Sequence, residues 1–412
     1  MEEKLQFAIG FVAGRANTCN IINAYYTDML EQVSRYNRKV DITIYILIDT
    51  HYLNTPIEDF YKLNKEVLES EINIRYITPE DLENEKNKLI NEEKLSKEEA
   101  NLFLGYGHAR CRNTIMYYAT KEKKDVLLFW DDDEYPVANI KQKDGSMMWK
   151  KQDNILVHLR EIENADITIG YHCGYISPIP YLHYYNEISD EDFQNFIEAV
   201  SNDILSWESI KEKFELHDGF TYADENLANE IGTHEIEEHE GGKWVAGSTL
   251  CINLRSIDKI PAFYNPVGAR GEDTFFSTKL KDTKVVKVPV YHFHDGFMKY
   301  ESIMKGIMPT DLTKIVAQER KTGIRFLNAS IGWVRYKPLF TYITKPENYK
   351  ERLEIAKNKL ETSSKKMDKA FKEIDFTILI DEFAKYNANI EKDYADYVRN
   401  NEIWNKCKKI NL

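Results

Sequence analysis

Residues 126–136 read VLLFWDDDEYP, five large apolar residues followed at once by Asp131, Asp132, Asp133 and Glu134. An apolar run this short, closed by turn residues, describes a strand buried on both faces. Adjacent carboxylates repel one another and resist dehydration, so four of them at the mouth of a core strand cost stability unless positive charge meets them. A cation is therefore expected there. Strand alternation sends Asp131 and Asp133 to one side and Asp132 to the other, although a turn beginning at Glu134-Tyr-Pro would relax this. Two such oxygen ligands suit magnesium or manganese, which accept carboxylates and leave positions for phosphate oxygens. A solvated acidic turn or a helix cap is the competing explanation.

Working upstream, LQFAIGFVAG (5–14), VDITIYILIDT (40–50) and EINIRYIT (71–78) read as strands. CNIINAYYTDMLEQVSRY (19–36) and HARCRNTIMYYATK (108–121) carry helical spacing. The charged stretch 79–103 reads as exposed helix and an insertion. This alternation implies an α/β fold, a mainly parallel sheet with helices on both faces, in which ligands collect beyond the carboxyl ends of the strands. Asp49 and the 131–134 acids fall there.

Downstream, ADITIGYHCGYI (165–176), WVAGSTLCINL (244–254) and KVVKVPVYHFH (284–294) read as further strands, and GEDTFFSTKLK (271–281) as a short helix. An acidic, weakly patterned region separates the first two. In YHFHDGF, His292 and His294 are two apart and share one face of a strand, which would let either approach the acids as a metal ligand. A structural histidine is the plainer alternative. Glu272 and Asp273 fall in the first turn of a helix, where carboxylates are stabilised, and a carboxylate held at a cleft rim can also act as a general base. Beyond about Phe297 the chain becomes rich in Lys and Glu with thin apolar stripes, as in 346–374, which predicts a helical C-terminal appendage.

Composition limits the function. The chain has 412 residues, 42% of them hydrophobic, and 55 basic residues against 68 acidic ones, which argues against binding a nucleic-acid polymer through phosphate attraction. Twenty-six tyrosines fit a sugar- or base-binding cleft, but they fit a core equally well. Five scattered cysteines form no CxxC pair, so neither a disulfide framework nor a cysteine zinc site is supported. The opening MEEKLQFAIGFVAG lacks a signal-peptide pattern, and no run of about 18 apolar residues occurs. The expectation is a cytoplasmic protein, with association at the inner face of a membrane left open. In HEIEEHE, His234 and His239 are five apart, where the zinc-protease pattern needs four. P-loop, GxGxxG and GxSxG motifs are missing.

Taken in order, the segments around ARCRNTIMYYA, LLFWDDDE, WVAGSTLCINLRSIDKI, GEDTFFS and HFH resemble the GT-A class of glycosyltransferases, particularly its family-2-like group. The resemblance runs from about residue 5 to about residue 297. It implies a Rossmann-like domain over 1–300, with a nucleotide-binding half at 1–135 and an acceptor half at 136–300, followed by helices at 301–412. It also implies a UDP- or GDP-linked sugar donor, a divalent cation (Mn2+ or Mg2+), a glycan or glycolipid acceptor and inversion at the anomeric carbon. Residue by residue, Asp131 would hold the donor ribose or the metal, Asp132 would join the donor-binding set, and Asp133 would bind the metal directly. His294, or else His292, would add a ligand. Asp49 would meet the base or ribose, and Arg112 and Asn113 would lie near the diphosphate. Asp273 would be the base, with Glu272 as fallback. GFVAGRANTCN departs from the usual turn after the first strand, the DDDE run leaves the metal register ambiguous, and the acceptor-loop Trp ahead of GED is missing. The alternatives are a nucleotidyltransferase that makes sugar nucleotides and a non-catalytic sugar- or metal-binding domain. The C-terminal helices are expected to pack or self-associate, or to touch a partner or membrane surface.

Overall fold

The computed structural model describes residues 4–175, 179–180, 188–201, 207–316, 319–371 and 374–411. Its strands are β1 (Leu5–Ala13), β2 (Val40–Ile48), β3 (Asn73–Ile77), β4 (Val126–Phe129), β5 (Glu134–Tyr135), β6 (Val137–Lys141), β7 (Met147–Lys151), β8 (Ile167–Tyr175), β9 (Phe220–Thr221), β10 (His234–Glu235), β11 (Leu250–Asn253) and β12 (Val285–His294). The helices of the first half are α1 (Asn17–Ser34), α2 (Lys65–Leu68), α3 (Pro79–Asn91), α4 (Lys97–Phe103), α5 (His108–Lys121) and α6 (Asn154–Glu161). Then come α7 (Asp190–Val200), α8 (Trp207–His217), α9 (Glu225–Ala228), α10 (Glu272–Ser277), α11 (Arg320–Thr344), α12 (Tyr349–Ala370), α13 (Ile378–Asn387) and α14 (Ile390–Asn411).

The main sheet runs β10-β12-β8-β11-β4-β1-β2-β3, with β5 added to β12 and β9 to β8. Strands β3, β2, β1 and β4 are mutually parallel, as are β8 and β12, while β11 sits antiparallel between β4 and β8. This is the mixed, mainly parallel sheet with helical cover that the sequence pattern implies, followed by a helical C-terminal region. The chain leaves β1 through α1 towards β2, whereas β4 lies on the other side of β1. A crevice therefore opens beyond the carboxyl ends of β1 and β4, the point at which ligands settle in such sheets.

Alternation along the strands builds two cores. Phe7, Ile9, Phe11, Leu128 and Trp130 face one layer with α1 and α6, while Ala8, Leu127 and Phe129 face the other with α5. Gly10 belongs to the second face, where a Cβ would lie 2.8 Å from Cγ2 of Ile115, so only glycine lets α5 approach this closely.

The charged stretch 79–103 is less exposed than its composition suggests. Both its helices begin with capping boxes, Thr78 with Asp81 and Ser96 with Glu99, and bury Leu82, Leu89 and Phe103. Strand 165–176 matches β8 as far as Tyr175, and residue 176 lies outside the described residues. WVAGSTLCINL shortens to a strand at 250–253, because the residues before it form a loop against the crevice.

Phe196, Phe326, Leu353 and Phe376 make a separate core among α7, α11, α12 and the segment before α13. Helix α14 instead enters the α/β core: Trp404 is fully buried, stacks on Phe103 at 5.6 Å and donates its indole N–H to the carbonyl of Ile260. Among the described residues no helix is long and apolar enough to cross a membrane.

Trp404→Ala removes a large buried ring at a junction more than 300 residues apart in sequence. It should cost about 3–5 kcal/mol in urea denaturation. A loss below about 1 kcal/mol would show that α14 is not keyed into the core.

Candidate active site

Strand β4 ends at Phe129, so the acids that follow lie in a tight turn and escape strand alternation. Asp131 accepts Nη2 of Arg112 at 3.1 and 3.4 Å. Asp132 and Asp133, expected on opposite sides, instead share Nη2 of Arg15 at 2.8 and 3.1 Å. The backbone carbonyl of Asp132 is held by the amide of Asn17 at the start of α1. Positive charge does meet the acid row, and in the chain itself two arginines supply it.

Arg112, on α5, is the central member. Its Nε donates to Glu272 at 3.2 Å while Nη2 reaches Asp131, so one buried guanidinium spans β4 and α10. Gly247 makes room for it: a Cβ there would lie 2.6 Å from Nη2. Asn113, the next residue, turns away from the crevice. Both its amide atoms pair with the backbone of Phe263, at 2.8 and 2.9 Å, and it is fully buried.

Glu134 occupies a cage beneath the acid turn. Its carboxylate accepts Ser248 Oγ at 2.5 Å and lies 3.1 Å from both His172 Nε2 and His292 Nδ1. Burial acts to raise the Glu134 carboxyl, but the two histidines outweigh it and hold the group well below the usual carboxylate range. His292 is fully buried, with its second ring nitrogen on the amide of Asn154 at 2.9 Å. Burial lowers the pKa of this imidazole, against the opposing pull of Glu134. His294 sits two residues on, at the rim. Its Nδ1 donates to the carbonyl of Tyr175 at 2.9 Å, which leaves the Nε2 lone pair available.

A cavity of about 1020 Å³ opens over this turn, lined by Asp49, Asp131, Asp132, Asp133, Asp273 and His294 among others. Asp49 closes β2 and caps the following turn through the N–H of His51 at 2.9 Å. Asp273 accepts backbone N–H groups from Thr274 and Gly247 at 2.8 and 3.2 Å. Burial, and then neighbouring Glu272, push its carboxyl up to about 6. Glu272 itself is held low: burial opposes this, but His108 and Arg112 prevail. Burial also raises Asp132, to about 7, against the pull of Arg15.

Arg270, Lys299, Lys321 and Arg325 line the same cavity, and none is ion-paired among the described residues. Sequence reasoning singled out none of these four, nor Arg15 as the partner of the acids. Arg15 had a usable signal in its place directly after the first strand. Lys321 and Arg325 had none, because they lie on α11 in the region read as an appendage.

Among the described residues no group of three or more His, Cys, Asp and Glu side chains is arranged to hold a metal. Among the described residues of the acid row and β12, three carboxylate or imidazole groups keep an unengaged atom once internal bonds are subtracted: Asp132, whose Oδ2 is buried without a partner, Asp133, engaged only through Oδ2, and His294, whose Nε2 faces the cavity. Of these, Asp133 and His294 are the pair least enclosed. Backbone pairing sets them side by side, Asp295 N to Asp133 O at 2.9 Å and Glu134 opposite His294. Such a pair fits magnesium or manganese, which takes one or two protein ligands and fills the remaining positions with water or phosphate oxygens.

Fold and crevice define an α/β protein with an acid row and free cations facing one another across a switch-point cavity. No protein-family model matches the chain, and no curated protein does. Among solved structures, the apo form of mouse xyloside xylosyltransferase 1 is similar at 9% identity and a TM-score of 0.25, over 68% of this chain and 74% of that one. A likeness at that level carries no argument.

Replacing Arg112 by Met leaves Asp131 and Glu272 unpaired, and should cost about 3–5 kcal/mol in denaturant titration. Arg112→Lys, whose single ammonium cannot span both acids, should recover only part of that loss. Equal stability for the Met variant and wild type would refute the bridging role.

Proposed function

We propose that this chain is a glycosyltransferase of GT-A architecture, moving a sugar from a UDP- or GDP-linked donor to a hydroxyl acceptor with inversion and with the aid of a divalent cation. The observation that carries the proposal is the division of charge across the switch-point cavity: paired acids on the β4 side, and around the rest Arg270, Lys299, Lys321 and Arg325, which form no ion pair among the described residues. A nucleoside diphosphate sugar needs both, cations for its phosphates and carboxylates to orient its hydroxyls and any bound metal.

Asp49, directly after β2, and Tyr52, in the turn that follows, line the cavity and would meet the nucleoside. Arg325 and Lys321 are free to meet phosphate oxygens. Asp273, ionised at neutral pH, takes the proton of the acceptor hydroxyl as its oxygen bonds to the anomeric carbon. The bond from that carbon to the diphosphate breaks, and its electron pair leaves with the nucleotide. Backbone N–H groups of Thr274 and Gly247 fix the Asp273 carboxylate throughout. Asp133 and His294 are the residues that would hold a magnesium or manganese ion, which when bound neutralises charge on the departing diphosphate.

UDP or GDP with manganese should raise the melting temperature, and either nucleotide alone should do much less. At ligand about a hundredfold above its dissociation constant the gain is roughly 2.7 kcal/mol. Asp133→Asn should abolish it, and no shift with any nucleotide would sink the donor assignment. Because the Asp273 carboxyl sits at about 6, transfer should rise with pH through that value and level off above neutrality. Asp273→Asn should remove this limb and lower kcat by roughly a hundredfold or more while nucleotide still binds. Full turnover in that variant would show that another group is the base.

A further inference from the structure

A second cavity, of about 690 Å³, opens beside the first. The two meet at Tyr52, His108, Arg270 and Asn328, which line both. The far walls of the second come from loop 263–270 and from α11, α13 and α14, elements outside the sheet.

Three observations describe what would occupy it. Its lining holds unspent hydrogen-bonding capacity: Tyr106 Oη and Asn400 Oδ1 are buried without a partner, and Asn400 is only 1% exposed. Asn400 is fixed by its own Nδ2 on the carbonyl of Phe263 at 2.7 Å, and its Oδ1, like Tyr106 Oη, is enclosed within the wall. The exposed amides of Asn101 and Asn389 line the same cavity, and a ligand rich in hydroxyl groups can meet them. The charge is opposite to that of the molecule, since Arg110, Arg270, Arg335, Lys385 and Lys392 face only Asp393 and Asp396 in a chain of net charge −13. Of these cations only Arg335 is ion-paired among the described residues, with Glu382. Finally, the half-exposed ring of Tyr52 stands at the neck, edge-on to His108 at 6.1 Å, as a surface on which a sugar ring can stack.

We propose that the second cavity binds an acidic oligosaccharide, a glycan of at least two units bearing carboxylate, sulfate or phosphate groups, and feeds its terminal hydroxyl through the neck towards Asp273. Its role as acceptor rests on the glycosyltransferase proposal, whereas its binding of acidic glycans does not.

The test is retention of the full-length chain on an array of uronate-, sialate-, sulfate- and phosphate-bearing glycans printed beside neutral glycans of equal length, with UDP–manganese melting shifts measured in parallel. Some acidic glycan should be retained at least tenfold better than its neutral counterpart, and rising salt should weaken it. K385E/K392E reverses two exposed charges and should lower that retention at least tenfold. N389W, which fills the cavity from its exposed side, should do the same. Both variants should keep the wild-type nucleotide shift. Preference for neutral glycans, undiminished retention by both variants, or no retained glycan at all would each overturn the proposal. Retention without any nucleotide shift would leave the binding site standing and remove the donor assignment, and a nucleotide shift without retention would do the reverse.

Discussion

The acids at 131–134 sit together only because each is met by a fixed donor from a different part of the chain. Arg112 comes from α5, Arg15 from the turn after β1, Ser248 from the loop before β11, and His172 and His292 from β8 and β12. Each pair taken alone earns little, because desolvation offsets most of the Coulombic gain. Their combined effect is geometric. Removing one partner strands a buried charge, so the ends of five elements are held in one arrangement. The cavity inherits its shape from that requirement, and the acid row works as a brace.

This bracing explains what could be read from the sequence. Strands β1, β2 and β4 were legible as apolar runs, and the position of the acids at a strand mouth followed from chain order alone. The need for positive charge there was legible too. Its source was not, since nothing in GFVAGRAN sets Arg15 apart from any other arginine in a loop. Asn113 shows the limit set by helical geometry: one step along α5 rotates a side chain by about 100°, enough to move it from the crevice to the backbone of Phe263. His292 and His294 show a different limit. Alternation places both on one face, yet depth along β12 separates them, with the first enclosed beneath Glu134 and the second at the rim. Periodicity reports the face but not the depth.

The C-terminal region was hardest to read for a related reason. Its helices carry thin apolar stripes because each buries one narrow face, α12 chiefly against α7 and α13 against α11. The residues that tie the region to the rest are single side chains such as Trp404, whose partners Phe103 and Ile260 lie far away in sequence. No local pattern announces such a contact. Helix α11 follows the same rule, since Lys321, Arg325 and Asn328 reach the cavity from a surface with no distinctive spacing.

The two cavities differ in electrostatic character, and the segment between them is four residues long. Arg270 stands at the neck, while Glu272 and Asp273 belong to the acid side. Between them Gly271 adopts φ 86°, a left-handed conformation, with its position for a Cβ 3.0 Å from the ring of Tyr336 on α11. A side chain there would be strained by the backbone angle and would press on the helix that carries the free cations. The orientation of Arg270 relative to Asp273 is therefore set by Gly271 against Tyr336 and by Gly332, whose carbonyl accepts the Arg270 N–H at 3.3 Å and where a Cβ would lie 2.7 Å from Arg270 Cγ. In the proposed transfer, that fixes the distance between an anion held on one side and the hydroxyl that Asp273 would deprotonate on the other. Separation of charge along a short, rigid turn keeps a basic pocket and an acidic one from neutralising each other, because Arg112 already occupies Glu272 and backbone N–H groups already occupy Asp273.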